Sequence, residues 1–255
     1  MINLSPEPFS IPARPLSGRA TPSAGGRVIK AVLFDIDGTL LKCFGAGKKS
    51  LIEACMEVFG TIGTMHAVDF QGKTDPLILL ESLAIMGFKE EDIHRNIEEL
   101  KSRYFHHLRT NMYDDSSVLL PGVEDLLERL RDHDGVLLGL LTGNFRESAR
   151  IKLDRFDLNR FFTFGVFGDD ASYRNDMPPI ARDMIRDSFN IDIPFRDIAI
   201  IGDTVHDIAC AKSSGAVSIS VGTGWADPGA LLDLEPDYFF DDLSDVDEVM
   251  KAILG

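Results

Sequence analysis

Short apolar, β-branched or aromatic runs at 30–34, 137–141, 163–167, 198–201, 216–221 and 237–240 have the length of buried strands. Stretches with helical spacing separate most of them: Gly122 to Arg131, Phe145 to Phe156, Pro179 to Phe189, Asp207 to Ser214 and Asp245 to Leu254. This alternation predicts right-handed βαβ crossovers and so a doubly wound α/β core with a parallel sheet. Residues 45–118 break it, because they hold no convincing strand and exceed what an ordinary crossover needs. Instead, Leu51, Ala54, Cys55, Val58 and Phe59 recur at i, i+3, i+4, i+7 and i+8, an apolar stripe on one helix face. Ile78, Leu79, Ser82, Leu83 and Met86 sketch a second helix, and Ile93 to Leu108 a third. The stripes read as packing surfaces. The expected division is a tail at 1–28, an α/β core at 29–44 and 119–255, and a helical insert at 45–118.

Composition narrows the class. The chain has 255 residues, 44% of them hydrophobic, enough to bury a sizeable core in one domain with an insertion or in two modest domains. Its net charge of −15 disfavours nucleic-acid phosphates and anionic membranes as partners, so any site for an anion must supply its own positive charge. Cys43, Cys55 and Cys210 are odd in number and lack metal-type spacing, which fits a reduced, cytoplasmic chain, with Cys210 packed in the core. Residues 1–28 contain Pro6, Pro8, Pro12, Pro15 and Pro22 and no apolar run of signal-peptide or membrane-spanning length. They read as a loosely ordered extension. The acidic stretch 233–248 carries eight acidic residues and no basic one, as a solvated domain edge does.

Candidate chemistry lies where strands end. The run Ala31 to Phe34 leads directly into Asp35-Ile36-Asp37-Gly38-Thr39, placing two carboxylates at a strand's carboxyl end, the edge at which open α/β sheets bind ligands. Such a pair can hold a hard divalent cation while one member attacks an electrophile. The strand at 137–141 delivers Thr142-Gly143-Asn144, and that at 198–201 delivers Gly202-Asp203-Thr204 with Asp207 four residues beyond Asp203. Between them stands Arg174, ahead of Pro178 and Pro179.

In this order the motifs resemble the haloacid dehalogenase superfamily of phosphohydrolases, in its phosphoglycolate-phosphatase-like branch, over roughly residues 29 to 250. The resemblance implies a Rossmann-like core with an α-helical cap, here 45–118, that closes over the site and excludes water. It implies that Asp35 attacks phosphorus to form an aspartyl-phosphate, and that Asp37 protonates the leaving oxygen and then activates water. The superfamily's dehalogenases lack the second carboxylate, since a halide leaves without a proton, so Asp37 argues for phosphoryl transfer. Mg²⁺ would be held by Asp35, the backbone carbonyl of Asp37 and Asp203, with Asp207 binding through water or orienting the ligands. Asp207 also suits the first turn of a helix as a cap.

Thr142, with Gly143 and Asn144, would bind phosphoryl oxygens at a helix N-terminus, where Thr142 also suits a cap. The family's usual Lys-Pro-x-Pro is absent, and Arg174 is the expected substitute cation, with Arg182 as competitor. Phe70-Gln71-Gly72-Lys73-Thr74-Asp75 is similar to a cap loop of that branch, which would bring Lys73 to the phosphate or a substrate carboxylate, unless it is a solvated loop lysine. Gly45-Ala46-Gly47 would be a hinge or a turn, and Asp169 with Asp170 a solvated turn. The expected activity is hydrolysis of a small phosphate monoester, phosphoglycolate-like or a sugar phosphate, by a monomer or homodimer. A phosphomutase and a catalytically silent binding protein are the alternatives; the intact Asp35, Asp37 and Asp203 count against the silent one.

Overall fold

The computed structural model describes residues 29–112 and 117–255. The proline-rich segment 1–28 lies outside the described residues. In chain order, β1 (Ala31–Phe34) and β2 (Leu41–Lys42) precede α1 (Ala46–Phe59), α2 (Asp75–Ala84) and α3 (Glu90–Asn111). There follow β3 (Val118–Leu119), α4 (Val123–Asp132), β4 (Leu137–Leu141), α5 (Arg146–Asp154), β5 (Phe164–Val166) and α6 (Met177–Phe189). The chain ends with β6 (Ile198–Gly202), α7 (Val205–Ser214), β7 (Val217–Val221), α8 (Pro228–Leu232), β8 (Tyr238–Phe240) and α9 (Val246–Leu254).

Six strands form a parallel sheet in the order β5-β4-β1-β6-β7-β8. β1 sits between β4 and β6, with Phe34 in register with Leu140 on one side and Ile201 on the other. The chain therefore winds outward from β1 in both directions, and the carboxyl ends of β1, β4 and β6 meet at the topological switch point. Alternation along the strands fills a core on each face of the sheet. Val32, Phe34, Leu138, Leu140, Ala199 and Ile201 enter one cluster, while Ala31, Leu33, Leu137, Leu141, Ile198 and Ile200 enter the other. Helices cover both faces. On α4 the buried Val123, Leu126, Leu127 and Leu130 stand at i, i+3, i+4 and i+7, each burial stabilising by roughly 1.5–3 kcal/mol.

Helices α1, α2 and α3 occupy the long interval between β2 and β3, and α1 lies along α3. Leu51, Ala54 and Cys55 of α1 are buried against this layer, as their spacing predicts. Met86 departs from the expected stripe: α2 ends at Ala84, the chain turns, and Met86 is exposed. Three short elements had no clear signal. β2 and β3 form an antiparallel ribbon of two residues each, and the five-residue α8 follows Asp227, whose side chain caps it. Elements this short carry too few positions for a period to register. Among the described residues no helix is long and apolar enough to cross a membrane.

Candidate active site

The switch point gathers most of the sequence-selected residues around one cleft of about 490 Å³. Asp35, Asp37, Thr142, Gly143, Asn144, Arg174 and Asp203 all line it, with Lys73 entering from the loop before α2. Carboxylate oxygens of Asp35, Asp203 and Asp207 lie within 4.8 Å of one another, all three residues buried. Strand ends supply the first two, and the first turn of α7 supplies the third. Asp207 caps α7 and also pairs with Arg174. Its Oδ2 accepts from the Thr204 amide at 3.0 Å in a reciprocal capping box, while its Oδ1 accepts from Arg174.

Arg174 stands in a 3₁₀ turn just ahead of α6 and is buried. Its Nη2 lies 3.2 Å from Asp35 Oδ1, pairs with Asp207 and donates to the Leu141 carbonyl at 3.1 Å. Arg182 is elsewhere, one helical stretch on, with its guanidinium 4.6 Å from the centre of the Phe195 ring. Burial raises the pKa values of Asp35 and Asp203. Burial pushes Asp35 up to about 6 against the pull of Arg174, with Asp207 and Asp37 adding to the rise. Burial also raises Asp203 well above the usual carboxylate range, and the neighbouring Asp35 and Asp207 raise it further. Asp203 accepts from the Thr39 hydroxyl at 3.0 Å. Gly38, at φ +91°, permits this approach: a Cβ there would stand 2.4 Å from Asp203 Oδ2.

Asp37 has different partners. Its Oδ2 accepts from Asn144 Nδ2 at 2.9 Å and from Lys152 Nζ at 2.5 Å, whereas Asp35 groups with Asp203 and Asp207. Asn144 Nδ2 also donates to the Thr142 hydroxyl at 2.8 Å. That hydroxyl, used as an acceptor, keeps its own proton free for an anion in the cleft.

The haloacid dehalogenase-like hydrolase family profile matches residues 32–221, most of the chain and all of these residues. The chain belongs to that family of hydrolases. It is 25% identical over 229 residues to the phosphoglycolate phosphatase of Vibrio parahaemolyticus, covering 88% of this chain and 97% of the relative. It is likewise 25% identical over 223 residues to the pyrophosphatase PpaX of Halalkalibacterium halodurans, covering 87% and 97%. The fold matches that of a hydrolase from Pseudomonas syringae with a TM-score of 0.66 at 21% identity, over 89% of this chain and all of that one.

Lys152 also lines the cleft of this haloacid dehalogenase-like hydrolase, although no motif in the sequence points to it. It extends from α5, buried, and donates to Asn144 Oδ1 at 2.6 Å as well as to Asp37. Burial disfavours its charge, but Asp37 foremost, then Tyr104, Cys43 and Asp75, hold its pKa above the ordinary lysine value. A signal existed: Ala149, Lys152, Leu153 and Phe156 fall at i, i+3, i+4 and i+7, so a charge interrupts an apolar stripe. A cation there requires a buried partner.

The loop expected to approach the site does so through its backbone and Asp75, while Lys73 is engaged elsewhere. Lys73 Nζ pairs with Glu81 at 2.5 Å. The Asp75 amide donates to the Gly143 carbonyl at 2.7 Å, its carboxylate accepts from the Phe145 amide at 2.9 Å, and the Thr74 hydroxyl donates to the Ser172 carbonyl at 2.6 Å. Contact is close enough that a Cβ on Gly143 would stand 2.1 Å from the Lys73 carbonyl oxygen. Asp169 and Asp170 are not a merely solvated turn. Asp169 accepts from the Arg146 amide at 2.6 Å at the start of α5, and Asp170 pairs with Arg146 at 3.3 Å and accepts from the Phe167 amide.

Proposed function

We propose that this hydrolase is a Mg²⁺-dependent phosphatase of small phosphate monoesters that works through an aspartyl-phosphate on Asp35. The observation that carries the reading is the separation of two carboxylates only two residues apart. Asp35 joins Asp203 and Asp207 in a buried acidic cluster, whereas Asp37 is turned toward Asn144 and Lys152. Different surroundings give paired carboxylates different tasks.

In the first step an Asp35 oxygen attacks phosphorus, the bond to the ester oxygen breaks, and Asp37 passes a proton to that oxygen. In the second, Asp37 takes a proton from the water that attacks the same phosphorus, the bond to Asp35 breaks, and orthophosphate leaves. Arg174, locked by Asp207, presents its guanidinium beside the nucleophile to meet the phosphoryl oxygens. Thr142 donates its hydroxyl proton to one of them, with the Gly143–Asn144 turn beside it. Lys152 and Asn144 hold Asp37 in place at the leaving oxygen. Lys73 serves substrate only on releasing Glu81, so it is the weakest member of the set.

Hard oxygen donors on three neighbouring carboxylates, opposed by one guanidinium, fit a divalent cation such as Mg²⁺. Asp35 and Asp203 would bind it, joined by the Asp37 carbonyl, with Asp207 placed behind them. When bound, Mg²⁺ would neutralise phosphoryl charge. Helices α1–α3 and the loop at 70–75 would act as the cap that excludes water. Relatives named for phosphoglycolate and pyrophosphate hydrolysis support a small phosphorylated substrate, phosphoglycolate-like or a sugar phosphate.

The test is orthophosphate release from a panel of phosphate monoesters with Mg²⁺, run beside Asp35→Asn and with chelator. Wild type releases phosphate, and both the variant and the chelated enzyme do not. Turnover by Asp35→Asn above a few per cent of wild type would overturn the nucleophile assignment. Isomer formation without phosphate release would favour a mutase instead.

A further inference from the structure

The rim of the cleft contains aromatic rings that the phosphate chemistry does not use. Phe44 and Trp225 line the cleft yet are 58% and 49% exposed, and the partly buried Phe70 lines it between them in sequence. Three separate segments contribute these rings: the turn between β2 and α1, the loop before α2, and the loop after β7. Large apolar side chains left in water beside a ligand cleft mark a surface that a ligand covers.

Phe44 is also held in a conformation that bulky residues avoid. Its φ is +41°, and it precedes Gly45 at φ +95°. Backbone bonds fix this turn, since the Ala46 amide donates to the Cys43 carbonyl at 2.9 Å and the Lys49 amide to the Gly45 carbonyl at 2.8 Å. A strained non-glycine residue at a site edge points to a function for its side chain. The other rings are steadied by lysines, with Lys48 Nζ 4.6 Å from the centre of Phe70 and Lys42 Nζ 5.1 Å from that of Trp225. Phe70 also rests on the hydrophobic core, and Trp225 is half exposed at the rim.

Cleft size agrees. About 490 Å³ lies in the range that houses drug-sized ligands, far beyond what a two-carbon phosphate fills. We propose that Phe44, Phe70 and Trp225 form a subsite for a planar ring, and that the preferred substrates are phosphate monoesters whose alcohol carries an aromatic or heteroaromatic group. This rests on the phosphatase reading for the end of the cleft that takes the phosphate, and it replaces the phosphoglycolate-like or sugar-phosphate substrate named there with an aromatic one. Stacking on exposed aromatics suits any planar ring, because every such ring offers a π-face.

The experiment compares ligands that differ only in the ring. Binding of 3-phenylpropylphosphonate and propylphosphonate to the full chain is measured by calorimetry, together with emission from Trp225, the single tryptophan. Turnover of 3-phenylpropyl phosphate and propyl phosphate, whose leaving oxygens are alike, is measured in parallel. The ring compounds should bind at least tenfold more tightly and be turned over with at least tenfold higher kcat/KM, and only the ring phosphonate should shift the Trp225 emission. Phe44→Ala and Trp225→Ala, checked for folding by circular dichroism, should each reduce the ring-to-alkyl ratio severalfold. Ratios near one with unmoved emission overturn the subsite. Tight ring-dependent binding without hydrolysis of any ester would uphold the subsite and overturn the phosphatase reading instead.

Discussion

Replacing Arg174 with Met removes the cation bonded to the buried acidic cluster while keeping most of its side-chain volume. Arg174, Asp35 and Asp207 have side chains only 5%, 8% and 3% exposed, so solvent cannot take over the neutralisation. Breaking a buried pair on one side leaves an uncompensated charge and costs about 3–5 kcal/mol, a large part of the ~5–15 kcal/mol that holds a typical domain together. The loss should depend on pH in a definite direction. Burial already lifts Asp35 to about 6 against the pull of Arg174, and without that pull it rises further. A carboxyl whose folded-state pKa is raised favours folding below its unfolded value and loses that contribution as pH climbs through the folded one. Arg174→Met should therefore be hurt most at pH 7.5 and less at pH 5, where the cluster takes up protons. Urea unfolding followed by far-ultraviolet circular dichroism in chelator, at both pH values, measures this. Adding Mg²⁺ at a hundredfold excess over its Kd should return about 2.7 kcal/mol. A loss under about 1 kcal/mol at pH 7.5, or one that does not change with pH, would refute the reasoning, because it would mean the cluster does not depend on Arg174.

Other substitutions probe separate parts of the site. Asp37→Asn should slow hydrolysis of alkyl phosphates by about 10²–10⁴-fold and that of p-nitrophenyl phosphate much less, since the latter's leaving group needs little protonation; equal losses on both would contradict an acid role. Asp75 is buried and pushed up from 3.8 to about 6, chiefly by desolvation, so its favourable contribution is complete below about pH 4 and lost as pH rises through 6. Stability of wild type relative to Asp75→Asn should then fall by roughly 2 kcal/mol between pH 4 and 7, and unfolding curves that stay parallel across that window would argue against it. Gly143→Ala places a methyl 2.1 Å from the Lys73 carbonyl oxygen, so the loop must move away. It should raise KM and cost about 1–3 kcal/mol of stability, and wild-type kinetics would show that loop contact to be dispensable.

The chain's local order announced the strands and the residues at their ends. Asp35 and Thr142 follow an apolar run directly and Asp203 follows one after Gly202, and a parallel sheet places every such residue on one edge, so their meeting is legible in the sequence. Arg174 was preferred over Arg182 in the same way, through its position between motifs, and the turn before α6 brings it beside Asp35 while Arg182 lies against Phe195. Tertiary structure alone decided the rest. Lys152 lies ten residues beyond Thr142 on a helix face, and only the crossover of α5 beneath the site brings its ammonium to Asp37 and Asn144. Lys73 looked free in the sequence but found Glu81, eight residues on, because α2 turns that side chain toward it. Phe44 and Trp225, 181 positions apart, share a rim through chain reversals that no local period encodes. The physical reason is range: periodicity and turn chemistry act over a few residues, whereas partners of buried charges and walls of a cleft are set by which elements pack together.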